Sequence, residues 1–326
     1  MKKKILVTGG SGFIGLHLVP QLVSSGYEVT NLDIQRPPSE QSAVAGWLNC
    51  SLLDLEALKT AVRNFKPAYV VHLAAFTLMD GTAKDYEANS VGTANLLQAI
   101  TEEPSVERAI FTSSQHVRAP GSGEAASETD FVPYMLYGES KAKMERLTRE
   151  AGMGCTWTII RPTVVWGPGH KLLAAGLWGL MYRGKYFHPA NDPVLRSYGY
   201  VKNVVWQIEQ LLLAPCESVN GRVFYVADGN VLQRDWVNAL SRALVGHGVR
   251  EVPLWFIRGL ALVGDRARSV GLRFPMYSAR LMNLVTQNPV PVKPTIDLLG
   301  TPPFTLEAGA RETATWFKEH YLAGIE

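Results

Sequence analysis

The stretch KILVTGGSGFIG, residues 4–15, decides the fold. Its first part, residues 4–8, is short, apolar and β-branched, which is typical of a buried strand. Glycines follow at positions 9, 12 and 15, and residues without a Cβ allow a tight turn and a close approach of the backbone. The segment 13–24 then has the length and apolar spacing of a helix. A strand, a glycine-rich turn and a helix in this order predict the start of a βαβ unit.

Strand-like and helix-like segments alternate through the first half of the chain. The strand-like runs are KILVT (4–8), YEVTNLD (27–33), AYVVHLA (68–74), ERAIFTS (107–113) and CTWTIIR (155–161). Longer amphipathic stretches lie between them, around residues 13–24, 54–65, 85–100 and 134–151. This alternation predicts a doubly wound parallel sheet, the Rossmann arrangement, with helices on both faces.

The second half of the chain has a different character. From about residue 167, Gly and Pro interrupt the sequence and the alternation fades. The run RVFYVAD (222–228) has the composition of one further strand of the sheet. We therefore predict an α/β protein whose nucleotide-binding domain spans residues 1–166 and is completed by about 196–230. Residues 167–195 and 231–326 are predicted to form a smaller, mixed α/β substrate-binding region.

The composition limits the classes of partner. The chain has 326 residues, of which 47% are hydrophobic and 19% charged, values typical of a folded globular protein. The net charge of +3 includes no long run of one sign, which predicts neither nucleic acid nor an anionic membrane as partner. No apolar run is long enough to span a membrane. The cysteines, Cys50, Cys155 and Cys216, are scattered, which predicts a cytoplasmic location and no metal site.

The glycine-rich turn predicts a dinucleotide site. The free N–H groups and positive dipole end of the following helix favour a pyrophosphate. Asp33 ends the second predicted strand, 24 residues after Gly9. A carboxylate there can accept hydrogen bonds from an adenosine ribose and would repel a 2′-phosphate, which favours NAD over NADP. Arg36 lies close by and is the feature that would favour NADP.

These features resemble the extended short-chain dehydrogenases/reductases, and among them the NAD-dependent epimerase/dehydratase family with its sugar-nucleotide epimerases. LLDLEAL (52–58), VVHLAA (70–75) and RPTVVWGPG (161–169) resemble the segments that pack on the adenine, close over the cofactor and meet the nicotinamide. Asn89 matches a helix residue that supports the active site, whereas Ser51 stands where the family usually has Asp. The resemblance implies that NAD is bound by Gly9, Gly12, Phe13, Ile14, Asp33, Leu52, Leu73, Ala74, Ala75, Tyr137, Lys141 and Pro162.

The sequence YGESK (137–141) is the candidate catalytic motif. Positions four apart lie on one helix face, so Lys141 is expected beneath Tyr137. Its charge is predicted to lower the pKa of Tyr137, ordinarily about 10, and its ammonium to bond the nicotinamide ribose. A Tyr and a Lys at this spacing also occur on ordinary exposed helices. The resemblance implies that Ser114, in FTSS (111–114), orients the substrate hydroxyl whose proton Tyr137 takes.

The residues around this motif narrow the substrate. Family members that dehydrate sugars carry an acidic pair after the orienting residue. Here His116 and its neighbours follow Ser114, which argues against a dehydratase. His116 is predicted either to face the substrate or to be an ordinary loop histidine. Arg196, in LRSYGYVKNVV (195–205), is predicted to bind a nucleotide phosphate or to be a surface arginine, and Arg280 is a candidate second phosphate ligand.

We predict an NAD-dependent sugar-nucleotide epimerase or related oxidoreductase with a nucleoside-diphosphate sugar as substrate. The alternative is a dehydrogenase of steroid-like or other apolar secondary alcohols. It is favoured by Val164, where sugar-nucleotide enzymes have Asn, by Asn203, and by the apolar segment 252–284. A non-catalytic NAD sensor would be expected to lack the Tyr or the Lys. The resemblance also implies a homodimer through the helices around 85–100 and 134–151.

Overall fold

The computed structural model describes residues 2–190, 193–272 and 274–323. The strands are β1 (Lys4–Thr8), β2 (Glu28–Leu32), β3 (Gly46–Leu48), β4 (Tyr69–His72), β5 (Arg108–Thr112), β6 (Thr156–Pro162), β7 (Val164–Trp166), β8 (Phe187–Ala190), β9 (Leu195–Tyr200), β10 (Arg222–Val226), β11 (Gly229–Leu232) and β12 (Arg250–Pro253).

The α-helices of the described ranges are α1 (Gly15–Ser24), α2 (Ser39–Ser42), α3 (Leu55–Phe65), α4 (Glu87–Thr101), α5 (Leu136–Glu150), α6 (Lys171–Leu173), α7 (Gly179–Tyr182), α8 (Val201–Leu213), α9 (Cys216–Val219), α10 (Gln233–Val245), α11 (Leu254–Ser269), α12 (Ser278–Val285), α13 (Lys293–Leu299) and α14 (Leu306–Trp316). A 3₁₀ turn spans Gln115–Val117, and π-helical turns span Ala174–Trp178 and Phe317–Leu322.

Seven parallel strands form the central sheet in the order β10-β6-β5-β4-β1-β2-β3. The prediction of a doubly wound parallel sheet is therefore confirmed, with each predicted strand in it. Strand β3 was not predicted, because its three residues, GWL, include no β-branched run. The order reverses at β1, which lies between β2 and β4. In such sheets ligands bind outside the carboxyl ends of the strands at this point.

Both faces of the sheet are covered, as alternate residues of β1 show. Ile5 and Val7 belong to one buried cluster, which includes Leu18 of α1 and Ile208 of α8. Leu6 points to the opposite cluster, which contains residues of α3, α4 and α5. Successive side chains of a strand alternate between its faces. The three consecutive apolar residues of β1, residues 5–7, therefore require helices on both sides.

Contacts between residues divide the chain into two compact units. The first comprises Met1–Val165, Val201–Asp228 and Pro291–Pro303, and the second comprises Trp166–Tyr200, Gly229–Val290 and Phe304–Glu326. The second unit is mixed α/β. Its β11 runs antiparallel to β9, and β12 pairs with β8. Its interior is aromatic, with Tyr198 stacked on Trp236 at 4.2 Å between ring centroids and Trp166 edge-on to the same indole.

A buried ion pair joins α5 to the sheet. Glu145, on α5, accepts two hydrogen bonds of 2.8 Å from the Arg161 guanidinium on β6, and the two side chains are 0% and 3% exposed. Burial would lower the pKa of Arg161, but the hydrogen bonds and charge of Glu145 raise it overall. Arg161 also donates to the Glu128 carbonyl at 2.6 Å. Helix α5, which carries the YGESK motif, is thereby tied to the strand beside it.

We expect Glu145→Gln to lower the free energy of unfolding by about 3–5 kcal/mol, because it leaves the Arg161 charge buried without its partner. Urea denaturation followed by circular dichroism would measure the loss. Asp297→Asn is the matched control, since Asp297 pairs with Lys293 on an exposed surface of α13, and such pairs contribute little. Equal, small effects of the two substitutions would contradict a structural role for the buried pair.

Candidate active site

The glycine-rich turn lies at the carboxyl end of β1. Gly9 has a φ of +74° and donates a hydrogen bond to the Leu32 carbonyl at 3.0 Å. A Cβ at this position would come within 2.5 Å of the Ala74 nitrogen, so only glycine allows the turn to lie against the segment after β4. The Gly12 nitrogen donates to the Gly9 carbonyl at 3.0 Å, and α1 begins three residues later. The turn thus presents the N-terminus of α1 at the edge of the sheet.

Asp33 lies beside this turn and is half-buried. One carboxylate oxygen accepts a hydrogen bond from the Ser11 nitrogen at 3.0 Å, and the other accepts one from the Gln35 nitrogen at 2.8 Å. A carboxylate oxygen can accept more than one hydrogen bond, so both retain capacity for ribose hydroxyls. Arg36 lies over the Trp47 ring at 5.7 Å. The carboxylate is therefore held in place next to the turn.

The other residues predicted to contact the cofactor follow the ends of neighbouring strands or border the turn. Leu52 is buried, and its carbonyl accepts a hydrogen bond from the Asn95 side chain at 2.8 Å. Three half-buried residues follow β4: Leu73, Ala74 and Ala75. Two more half-buried residues, Phe13 and Ile14, precede α1. Pro162 is buried and is the last residue of β6.

Three buried hydroxyl groups lie at the carboxyl ends of β5 and β6, on the edge of the sheet where a cofactor would bind. Thr112 Oγ1, Ser113 Oγ and Thr163 Oγ1 find no hydrogen-bond partner among the described residues. Buried polar atoms are normally hydrogen-bonded. Hydroxyls with free capacity at the same carboxyl edge of the sheet as the glycine turn and Asp33 fit a polar cofactor such as NAD.

The structure brings Ser114 and Tyr137 together. Both side chains are buried, at 4% and 7% exposure, and lie close enough for the Ser114 hydroxyl to act on the pKa of Tyr137. Ser114 directly follows the end of β5, and Tyr137 lies in the first turn of α5. Gly138 permits this arrangement, because a Cβ there would overlap the carbonyl oxygen of His116 in the 3₁₀ turn after Ser114. The glycine of YGESK therefore matters as much for geometry as its neighbours do for chemistry.

Burial controls the ionisation of this pair. It raises the pKa of Tyr137 to about 12, the hydrogen bond with Ser114 acts to lower it, and the nearby Tyr86 raises it. The pKa lowering predicted from Lys141 is wrong for this structure. The Lys141 Nζ donates to the Thr112 carbonyl at 2.8 Å, and Lys141 is not among the groups that shift Tyr137. Burial also lowers the pKa of Lys141 to about 8, against an opposing effect of Glu145.

Asn89 supports the site from α4. Its side-chain oxygen accepts from the Phe76 nitrogen at 2.8 Å, and its amide donates to the Phe76 carbonyl at 2.9 Å and to Ser140 Oγ at 3.0 Å. Ser140, on α5, in turn donates to the Tyr137 carbonyl at 2.7 Å. The loop after β4 and the first turn of α5 are thereby fixed to one another.

His116 lies beside the tyrosine. Its ring meets the Tyr137 ring edge-on at 6.0 Å, and its Nδ1 lies 3.1 Å from the Tyr134 hydroxyl. Sequence reasoning missed Tyr134 and Tyr86, whose ring is 6.2 Å from that of Tyr137. Tyr134 precedes α5, which begins at Leu136, so helical spacing gave no signal for it. Tyr86 carried no signal either.

The two candidate phosphate ligands lie in the second unit. The Arg196 guanidinium donates two hydrogen bonds to the Thr286 carbonyl, at 3.1 and 3.2 Å. Arg280 is exposed and donates to the Pro275 carbonyl at 2.6 Å. Each guanidinium has further N–H groups that could bind a phosphate. The role of both residues in phosphate binding stays a prediction.

Comparison with known proteins agrees with this geometry. The model of the NAD dependent epimerase/dehydratase family matches residues 5–227. The chain is 24% identical to the 3β-hydroxysteroid dehydrogenase/Δ5→4-isomerase of vaccinia virus (strain Western Reserve), over 96% of this chain and 98% of the relative. It is 29% identical to the UDP-glucose 4-epimerase of Vibrio cholerae, over 97% and 96%.

A solved structure shows the same fold. The UDP-glucose 4-epimerase of Thermus thermophilus, in complex with NAD, superposes with a TM-score of 0.72 at 24% identity, covering 97% of this chain and 99% of that one. The family match also confirms NAD as the predicted cofactor. Because this match spans the glycine-rich turn, Ser114 and the YGESK motif, the chain belongs to the NAD-dependent epimerase/dehydratase family.

Proposed function

We propose that this protein is an NAD-dependent sugar-nucleotide epimerase, or a closely related oxidoreductase, with Tyr137 as its acid/base. The observation that carries the proposal is that Ser114 and Tyr137 are buried side by side, with Lys141 one helical turn from the tyrosine. The similarity to the Vibrio cholerae UDP-glucose 4-epimerase over nearly the whole chain supports the substrate class.

The cofactor would be held by the glycine turn at the N-terminus of α1, by Asp33 at the adenosine ribose and by Lys141 at the nicotinamide ribose. NAD, when bound, supplies the acceptor for a hydride from the substrate carbon and later its donor. Leu52 and the residues after β4 would line the adenine side. Burial of Tyr137 and Lys141 keeps water from the reacting groups.

The proton moves at the Tyr137 hydroxyl. Ser114 Oγ orients the substrate hydroxyl and stabilises the phenolate, which opposes the raising of the Tyr137 pKa by burial. Tyr137 Oη takes the proton of a sugar ring hydroxyl, C4 being the usual site in the family. The keto sugar turns over, so that its carbonyl carbon takes the hydride back on the other face, and Tyr137 returns the proton to the carbonyl oxygen. Lys141, held by the Thr112 carbonyl, keeps a positive charge next to this chemistry at neutral pH.

Elimination of water is not part of the proposal. After Ser114 this chain has Gln115 and His116, which cannot replace a carboxylic acid and carboxylate pair. We infer that His116, edge-on to the Tyr137 ring, faces the substrate. Arg196 and Arg280 are proposed to bind the diphosphate, for which a guanidinium fork is suited. A homodimer through α4 and α5 is proposed as well.

A dehydrogenase of apolar secondary alcohols is the second candidate. The observations that favour it are the similarity to the vaccinia virus steroid dehydrogenase along 96% of the chain and Val164, which cannot donate an amide hydrogen bond to a diphosphate. Asn203 does not support it. Its amide is buried and donates to the Asp228 carboxylate at 2.8 Å, which is a structural role.

Turnover of a substrate panel with NAD would distinguish the two candidates. The panel contains UDP-, dTDP-, GDP- and CDP-sugars and a set of 3β-hydroxysteroids. For an epimerase we expect a new sugar epimer by chromatography while the NADH absorbance stays constant at steady state. Accumulation of NADH with a steroid would instead support the dehydrogenase. Conversion of neither class would contradict both.

Tyr137→Phe should reduce turnover of the substrate so identified by at least about 10²–10⁴-fold, because it removes the group that transfers the proton. NAD binding, measured by calorimetry, should stay nearly unchanged. Tyr182→Phe is the control, since Tyr182 is 43% exposed and lies in the second unit. Normal turnover by Tyr137→Phe would rule out the acid/base role.

A further inference from the structure

Helix α11 in the second unit has a buried face and an exposed apolar face. Ile257 and Ala261 are each 1% exposed, and with Gly264 they occupy the i, i+4 and i+7 positions that pack inward. The opposite side presents Trp255 and Leu262, which are 72% and 69% exposed. A folded protein rarely leaves side chains of this size in water along one helix face without a partner surface.

This face forms a continuous stripe. Phe256 and Val263, at 42% and 57% exposure, lie next to Trp255 and Leu262 on the helix surface. Residues seven apart fall on the same side, two turns along. Further large apolar side chains are exposed after the end of α11, since Val270 and Leu272 are 71% and 63% exposed and Met282 of α12 is 60% exposed. We call residues 254–285, which contain all of these side chains, the α11–α12 segment.

The α11–α12 segment is also strongly basic. Its sequence contains the arginines 258, 266, 268, 273 and 280 against the single acid Asp265, a net charge of +4. The whole chain has a net charge of +3, so the remainder is slightly acidic. The expectation that an anionic membrane is not a partner came from the average over the chain, which conceals this concentration of charge.

We propose that the α11–α12 segment docks the protein onto the surface of an anionic phospholipid bilayer. Trp255 and Leu262 enter the boundary between headgroups and acyl chains, and Arg258 and Arg266 contact lipid phosphates. A helix with Trp, Phe and Leu exposed beside arginines is suited to lie in this boundary plane. No helix within the described ranges is long and apolar enough to cross a membrane. The docking is independent of the reaction at Tyr137.

The distribution of charge favours a bilayer over a second copy of the chain. A twofold contact would place the same patch against itself, bringing two segments of +4 charge together, which is unfavourable. At the end of α11, Arg268 lies 4.1 Å from the centroid of the Tyr277 ring and borders a cavity of about 630 Å³. A guanidinium can stack on an aromatic ring and still bind a phosphate headgroup through its N–H groups.

The test is flotation of the full chain, loaded with NAD, on phosphatidylcholine vesicles with and without about 30% phosphatidylserine. We expect binding only to the anionic vesicles, weakened by salt. Two double variants should each lower the affinity for anionic vesicles by at least about tenfold. The first combines Trp255→Ser and Leu262→Asn, and the second combines Arg258→Glu and Arg266→Glu.

The matched controls are Leu213→Asn and Arg63→Glu, which change exposed residues of the first unit and should bind vesicles like the parent. Melting temperatures would verify that every variant is folded. The proposal would be overturned if the parent did not float with anionic vesicles, or if the two double variants bound these vesicles as well as the control variants do. Dissociation of an oligomer by Leu262→Asn, without vesicle binding by the parent, would assign the face to a second copy instead.

Discussion

The approach of α5 to the turn after β5 is the constraint on which the candidate site depends. At Gly138 the helix lies directly against the His116 carbonyl, and a side chain at that position would force the two apart. Because they meet there, Ser114 lies close enough to Tyr137 to act on the pKa of its hydroxyl. The Glu145–Arg161 pair holds the same helix against β6 two turns further on, and Asn89 fixes its first turn through Ser140. The chemistry of the site therefore rests on the packing of one helix.

The same packing makes charged side chains unfavourable in the site, because it buries them. Lys141 is 2% exposed, and burial depresses its pKa to about 8. The Thr112 carbonyl accepts one of its hydrogen bonds, but the charge still lies in a region with little water. Burial likewise disfavours the Tyr137 phenolate. Groups whose pKa values are moved by burial are common at catalytic sites. Here the hydrogen bond from Ser114 is the interaction within the structure that acts in favour of the phenolate.

The sequence was sufficient for every strand of the central sheet except β3, because the other strands are β-branched runs that alternate with amphipathic helices. The sequence was insufficient for side-chain contacts and pKa values, because these depend on burial and on residues far apart in the chain. The spacing of Tyr137 and Lys141 placed them on one helix face, but it could not show that the ammonium bonds the Thr112 carbonyl. Gly138 had no evident role until the His116 carbonyl was seen beside it. The charge of the α11–α12 segment was visible in the sequence but hidden in the average over the chain.

The pH dependence of kcat/KM in the parent and in Ser114→Ala tests this account most directly. Oxidation requires Tyr137 to accept a proton, so kcat/KM should rise with pH toward the pKa of Tyr137. Because the Ser114 hydrogen bond lowers that pKa, its removal should reduce kcat/KM and move the rising limb to higher pH. A limb that keeps its position, or moves to lower pH, would contradict the claim that Ser114 tunes Tyr137 for proton transfer.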